Sequence, residues 1–192
     1  MEERPRDFDG IVRRTWGLLG RGKKDRRHAF HTPALVTVDA AGRPKVRCVV
    51  LRVVDAERRL IGCHCDRRSA KAEEIAATGH AAWHFYDAKH KTQLVIDAEA
   101  SVHADDEVAQ ERWSATGRGS RVCYERPHPP STSADAPYDE QPASDDAEAG
   151  RANFAVILTR ATAIDYLHLH HAGHVRCRLV WDGGWVGAWL TP

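Results

Sequence analysis

No apolar run in this sequence approaches the roughly 20 residues that a membrane-spanning helix needs, so a membrane is not an expected partner. The first stretch, Met1 to Arg14, is broken by charges throughout and lacks the apolar core of a secretory leader, which predicts a cytoplasmic protein. An excess of charge of either sign is missing too: 28 Lys and Arg against 27 Asp and Glu leave a formal net charge of +1. No global field is available to draw in nucleic acid or an anionic surface, and any anion site has to be local. Glycine-rich turns of the GxGxxG kind are absent, which excludes an ordinary Rossmann dinucleotide site. Cysteine is sparse and odd in number (Cys48, Cys63, Cys65, Cys123 and Cys177), so reduced thiols are expected rather than a disulfide framework. Cys63-His64-Cys65 does not have zinc-ligand spacing, because alternation along a strand turns His64 away from its neighbours. His168, His170, His171 and His174 read as strand, turn and strand, and no metal is expected there.

What is present is ordinary globular chemistry: 42% hydrophobic and 29% charged residues over 192 positions, enough for one domain spanning 1–192. Phe8, Ile11, Val12, Thr15, Trp16 and Leu19 recur at helical spacing and predict a helix from Asp9 to Gly20, followed by a basic loop from Arg21 to Arg27. The period then changes to strand. Ala34–Ala40, Lys45–Asp55, Arg59–Cys65, Ala81–Tyr86, Gln93–His103, Asn153–Arg160, Ala163–Leu169, Val175–Trp181 and Trp185–Leu190 read as strands joined by short turns. Two inner helices are expected, one from Ser69 to Thr78 with Ala72, Ile75 and Ala76 inward, the other capped by Asp105. From Pro127 to Gly150 the composition shifts to Pro, Ser, Asp, Glu and Ala, with Tyr138 the single large apolar side chain. That stretch predicts a long mobile loop. The sum is a mainly β, antiparallel, closed or partly closed barrel with flanking helices.

Three pieces carry chemistry. Arg47-Cys48-Val49-Val50-Leu51-Arg52 embeds two cations in an apolar strand, and a charge there needs a counter-charge. On an ideal strand Arg47 and Arg52 face opposite sides, so they serve one group only if a bulge or strand end intervenes. Asp66-Arg67-Arg68-Ser69-Ala70-Lys71 places a hydroxyl and cations at the start of a helix, where backbone N–H groups can receive a phosphate; a capping serine among solvated charges explains it equally. Finally, His174-Val175-Arg176-Cys177-Arg178-Leu179 aligns His174, Arg176 and Arg178 on one strand face, for which an anionic ligand is the simplest reason.

The order of these pieces, with Gln93-Leu94 between the second and third, resembles the FMN-binding split barrels of the pyridoxamine 5'-phosphate oxidase superfamily, most closely its Alr-type branch. The resemblance implies a six-stranded split barrel whose homodimer interface holds FMN. It assigns Arg47, Ser69 and Lys71 to the flavin phosphate and runs Val49, Val50, Leu51 and Arg52 along the ring. Gln93 is placed at the ring or ribityl chain, and Arg178 comes from the second subunit. Cys65 and Arg68 are implied near the cofactor, Arg68 standing in for the Arg that the oxidases carry at Ala70. A flavin-covering Trp of the family aligns with Leu167. The Tyr, Arg and Ser that hold substrate phosphate in the oxidases fall near Arg112, Thr116 and Ser120, and Ser120 alone matches. The late Arg-x-His-x-Arg motif is swapped, leaving His174 and Arg176 as candidates for substrate contact. The implied activity is thus an FMN-dependent oxidoreductase with an unassigned small-molecule substrate, oxidation of pyridoxamine phosphate itself being unsupported by these positions. The alternative is a flavin or haem carrier without turnover on the same fold.

Overall fold

The computed structural model describes residues 5–137 and 144–192. Helix α1 (Phe8–Lys24) starts where the Asp7 carboxylate accepts from the Gly10 N–H, at 2.6 Å, and buries Ile11, Trp16, Leu18 and Leu19. It outruns the expected end at Gly20: Arg21 to Lys24 form its last turn, where cations complement the helix dipole, and are not a loop. A single 3-10 turn at Ala29–His31 leads into β1 (Ala34–Val38) and β2 (Pro44–Cys48).

The apolar run from Lys45 to Asp55 is not one continuous strand. Its first part, β2, pairs with β1, whereas β3 (Val53–Asp55) pairs with β4 (Leu60–Asp66). Between them the backbone changes partners: the Val49 N–H donates to the Pro33 carbonyl, the Leu51 N–H to that of His31, and the Arg52 N–H to that of Gly62. Helix α2 (Ala70–Thr78) follows, ending at Gly79 with φ 69°, a left-handed conformation that glycine adopts without a Cβ clash. Ala72 and Ile75 face the core as expected, but Ala76 is exposed.

Strands β5 (His80–Asp87) and β6 (Thr92–His103) form a hairpin around the polar turn. Helix α3 (Glu107–Ser114) is capped by Asp106, whose carboxylate accepts from the Ala109 N–H; Asp105 instead pairs with Arg67 at 2.8 Å. A short helix α4 (Arg118–Arg121) precedes Tyr124. The two strands expected at Asn153–Arg160 and Ala163–Leu169 are one, β7 (Phe154–His168), which absorbs Thr162 as an extra residue opposite Asp97 and Ala98 of β6. Strands β8 (Val175–Trp181) and β9 (Trp185–Trp189) close the chain around Gly183-Gly184.

All pairings are antiparallel, in the order β2-β1-β5-β6-β7-β4-β3, with β8 also on β7 and β9 on β8. The hydrogen-bonded path is open, yet its two ends, β2 and β3, are successive pieces of one extended segment. That is how the curved sheet wraps a core of Leu35, Leu51, Trp83, Phe85, Ile96, Ile157 and Tyr166. A second small cluster, Trp113, Tyr124, Phe154 and Val156, lies beneath α3 on the other face.

Of the stretch read as a mobile loop, Tyr138 and its neighbours 139–143 lie outside the described residues. The described ends are tied to the body. Arg68 donates to the carbonyls of Arg126 and Pro127, while Trp113 donates to Glu148 at 3.1 Å and Arg121 to the Ala147 carbonyl at 2.8 Å.

Candidate functional site

The partner switch between β2 and β3 decides the local chemistry. Because the strand is interrupted at Val49 to Arg52, Arg52 lines a cleft with Lys71 at the first turn of α2, whereas Arg47 meets Glu74 farther along that helix and does not line the cleft. The Arg47 guanidinium donates to Glu74 of α2 at 2.9 Å and to the Thr37 hydroxyl, a half-buried cluster on β1, β2 and α2. Ser69, 3% exposed, donates its hydroxyl to the Asp66 carbonyl at 2.6 Å and accepts from Lys71 Nζ at 3.1 Å, so its side chain does not cap α2.

A cleft of about 350 Å³ opens beside this cluster, lined by Val49, Val50, Arg52, His64, Lys71 and Ser120, with Cys48, Cys123 and Tyr124. Among the described residues, neither Arg52 nor Lys71 has a carboxylate partner. Two cations facing one cleft without a counter-charge, next to a helix N-terminus, fit a phosphate dianion. The cleft's size and its two cations are compatible with FMN, while Ser69, buried and bonded to the Asp66 carbonyl, supports Lys71 from behind and does not line the cleft.

Other expected residues lie elsewhere. Leu51 is fully buried in the core, and Cys65 is turned inward, where burial pushes its thiol up to about 11. Arg68 does not stand free as a replacement cation: it pairs with Asp66 at 2.7 Å and holds the carbonyls of residues 126 and 127. Gln93 sits on β6 between Tyr86 and Leu167, and it does not line the cleft. The β8 cations align on one face as read, but their charge is met within the chain, Arg176 by Asp165 at 3.1 Å and Arg178 by Asp97 at 2.7 Å. His174 and Arg176 instead line a separate cleft with Pro5, Arg6, Trp189 and Leu190, where the His174 ring accepts from the His170 N–H. Of the three positions near the substrate motif, Ser120 reaches the cleft beside α2, while Thr116 bonds back to the Arg112 carbonyl.

Sequence reasoning missed His64, Glu74, Thr37, Cys123 and Tyr124. The signal for His64 was present in its alternation with Cys63 and Cys65: facing away from the core places it on the cleft side. Its Nε2 is buried without a hydrogen-bond partner among the described residues. Burial, then the charges of Arg52 and Arg112, hold its pKa down at about 4. The imidazole is thus neutral at physiological pH and gives the cleft an uncharged polar edge. A folded-state pKa below the unfolded value means the unfolded chain binds the proton first on acidification. Stability should therefore fall as pH drops from about 6.5 towards about 4, by up to roughly 3 kcal/mol from this residue. Thermal unfolding of the wild type and His64→Phe across that window checks it, because the variant should lose that part of the pH dependence.

An open antiparallel sheet wrapped around one core, with a phosphate-accepting cleft where a strand changes partners, defines an FMN-type split barrel. Residues 17–104 match the model of the "Pyridoxamine 5'-phosphate oxidase, FMN-binding domain" family. That stretch carries the FMN-binding domain of this family, and FMN is the cofactor it supports. No protein of curated function matches it in sequence. Among solved structures it is similar to a pyridoxamine 5'-phosphate oxidase-related, FMN-binding protein from Nostoc punctiforme, with 19% identity, 100% of both chains covered and a TM-score of 0.74. It is also similar to PhzG from Burkholderia lata, solved in complex with tetrahydrophenazine-1-carboxylic acid. There the identity is 17%, with 99% and 95% of the two chains covered and a TM-score of 0.70. HupZ from Group A Streptococcus shares the fold at 12% identity, 81% and 93% coverage and a TM-score of 0.52.

Proposed function

We propose that the chain is an FMN-dependent oxidoreductase of the Alr-type branch, a single domain over 1–192 that acts in the cytoplasm as a homodimer on a small molecule. The observation that carries this reading is the pair of uncompensated cations, Arg52 and Lys71, on the cleft beside α2. FMN, when bound, supplies hydride transfer; the protein supplies placement and electrostatics. Lys71, supported by Ser69, holds the phosphate, with Arg47 acting through Glu74 farther along α2. Val49 and Val50 exclude water from one side of the ring, and Arg52 sets the charge near its reactive side. Ser120 offers a hydroxyl to substrate at the cleft wall.

Two observations support the dimer. Gln93, Arg178, Arg176 and His174 do not reach the cleft of their own chain, so in this reading they act on the partner's cleft. Val46, Val180, Val186 and Trp189 are exposed by 66%, 47%, 62% and 50%, more apolar surface than a solvated sheet end needs. Five free cysteines suit a reducing compartment. The carrier reading keeps one specific support: Arg176 and Arg178, the candidates nearest to a substrate motif, already have their charge met by Asp165 and Asp97.

The deciding experiment is a visible absorbance scan of the purified protein, followed by anaerobic addition of NAD(P)H or candidate amines and alcohols. Flavin bands that bleach support the oxidoreductase; flavin bands that no donor bleaches favour the carrier. Light scattering with FMN present should give twice the monomer mass, and a monomer that retains stoichiometric FMN would overturn the shared site.

A further inference from the structure

Outside the flavin cleft the chain carries a second arrangement of reactive side chains. At the end of β6, Ser101 Oγ lies 2.9 Å from His103 Nε2, and His103 Nδ1 lies 2.6 Å from Asp106 Oδ2. Positions 101 and 103 share a strand face by alternation, and Asp106 follows at the cap of α3. The carboxylate can only accept, so with a neutral ring Nδ1 carries the hydrogen. Nε2 is then left to accept from the Ser101 hydroxyl, for which the Leu158 carbonyl at 3.3 Å is the longer, competing acceptor. Pairing agrees with this polarity: the Ala109 N–H and the His103 ring, against an opposing effect of burial, hold the Asp106 carboxyl below its ordinary range, keeping it ionised.

The surroundings make this a site rather than a surface chain of hydrogen bonds. Ser101 and His103 line a groove of about 330 Å³ together with the apolar Leu60 and Leu158 and the charged Glu99 and Arg160. Strand β5 pairs with β6 only as far as Glu99, and the Ala100 N–H donates to Gly79 at that edge. Two residues on, the Val102 N–H points to the same edge, past the end of β5. It is the amide next to the Ser101 carbonyl, the position from which an oxyanion is often met.

We infer that Ser101, His103 and Asp106 form a nucleophilic centre for acyl transfer, accepting uncharged carboxylic esters with a small apolar acyl group. Ser101 Oγ bonds to the acyl carbon as its proton passes to His103 Nε2. The C–O bond to the leaving alcohol then breaks, and the alcohol departs with that proton. Water, deprotonated by His103 in the same way, cleaves the acyl–Ser101 ester, releasing the acid and restoring the hydroxyl. Asp106 is a positioning residue that fixes the ring and its tautomer. Nothing in this sequence of steps involves the flavin, so it stands or falls apart from the proposed redox function.

The test uses the full chain with its FMN bound. A fluorophosphonate probe should label it at one residue, mapped to Ser101 by peptide mass spectrometry, and p-nitrophenyl acetate should be turned over. Ser101→Ala should abolish both with its FMN content unchanged, and His103→Ala should slow labelling on the order of a hundred-fold or more. Asp106→Asn retains an oxygen able to cap α3, so its melting temperature should hold while labelling slows. The 15N shifts of the His103 ring should at the same time show loss of the Nδ1–H tautomer. Absence of labelling in the folded, FMN-loaded protein overturns the inference, as does labelling that survives Ser101→Ala or is indifferent to His103→Ala.

Discussion

Replacing Lys71 with alanine is expected to raise the dissociation constant for FMN about ten- to a hundred-fold while leaving riboflavin binding nearly unchanged. Lys71 lines the cleft, touches Ser69 and has no carboxylate partner among the described residues, so its charge is available to the ligand in full. A charge-assisted bond to a phosphate contributes roughly 1.5–3 kcal/mol, and removing the cation leaves a partly desolvated dianion underpaired. Arg47→Ala should act in the same direction by a second route. It strips Glu74 of its partner and leaves a largely buried carboxylate on α2, three residues on from Lys71. Arg178→Ala, already satisfied by Asp97 and assigned to the ring, should cost less affinity and change the flavin's redox behaviour more. Fluorescence titration of the apo-protein with FMN and with riboflavin decides between these roles. Equal losses for the two ligands in Lys71→Ala would remove the phosphate from this site.

The largest effect on stability is expected at Trp83. Its side chain is fully buried against Phe85, and its indole N–H donates to the Thr159 hydroxyl at 2.9 Å, which in turn donates to the Ile61 carbonyl at 2.8 Å. One residue thereby joins β5 to β7 and, through Thr159, to β4. Trp83→Ala opens a large void and leaves Thr159 without its donor, at about 3–5 kcal/mol. For a chain of this size that corresponds to a melting temperature lower by on the order of 10 °C. Trp83→Phe refills most of the volume and should cost clearly less. Thermal denaturation followed by circular dichroism measures both, and a loss of a degree or two in Trp83→Ala would mean the void collapses.

Much of this architecture was legible because two periodicities are written plainly into the chain. The helical spacing of Phe8, Ile11, Val12, Thr15, Trp16 and Leu19 placed α1, and alternation placed most strands within a residue or two of their observed ends. What could not be read was where a strand changes partner. Val49 to Arg52 is as apolar and β-branched as its flanks, and only the tertiary hydrogen bonds to Pro33, His31 and Gly62 break it. The same limit applied to charges. Spacing showed that Arg47, Arg176 and Arg178 needed counter-charges, but not that Glu74, Asp165 and Asp97 supply them. Conversely, Arg52 and Lys71 were legible as candidates without any sign that they, and not the β8 cations, would be left uncompensated. The pairing of Arg68 with Asp66 and with the carbonyls of 126 and 127 was not legible for a related reason, since those carbonyls come from a segment with no pattern at all.

Strand β7 pairs with β4, β6 and β8, which makes it the element on which most of the sheet depends. Its partners lie on both sides of it in the chain, and the ladder from Cys63 to Ile157 joins residues very distant in sequence. A ribosome synthesising this chain releases the β5–β6 hairpin early, but β4 has nothing on its β7 side until Phe154 to His168 emerge. Until then the Leu94, Ile96 and Cys63 surfaces are exposed together, and the loop-closure entropy is met late. The nascent protein is therefore most vulnerable to aggregation just before Phe154 to His168 appear, the interval in which a chaperone has most to protect.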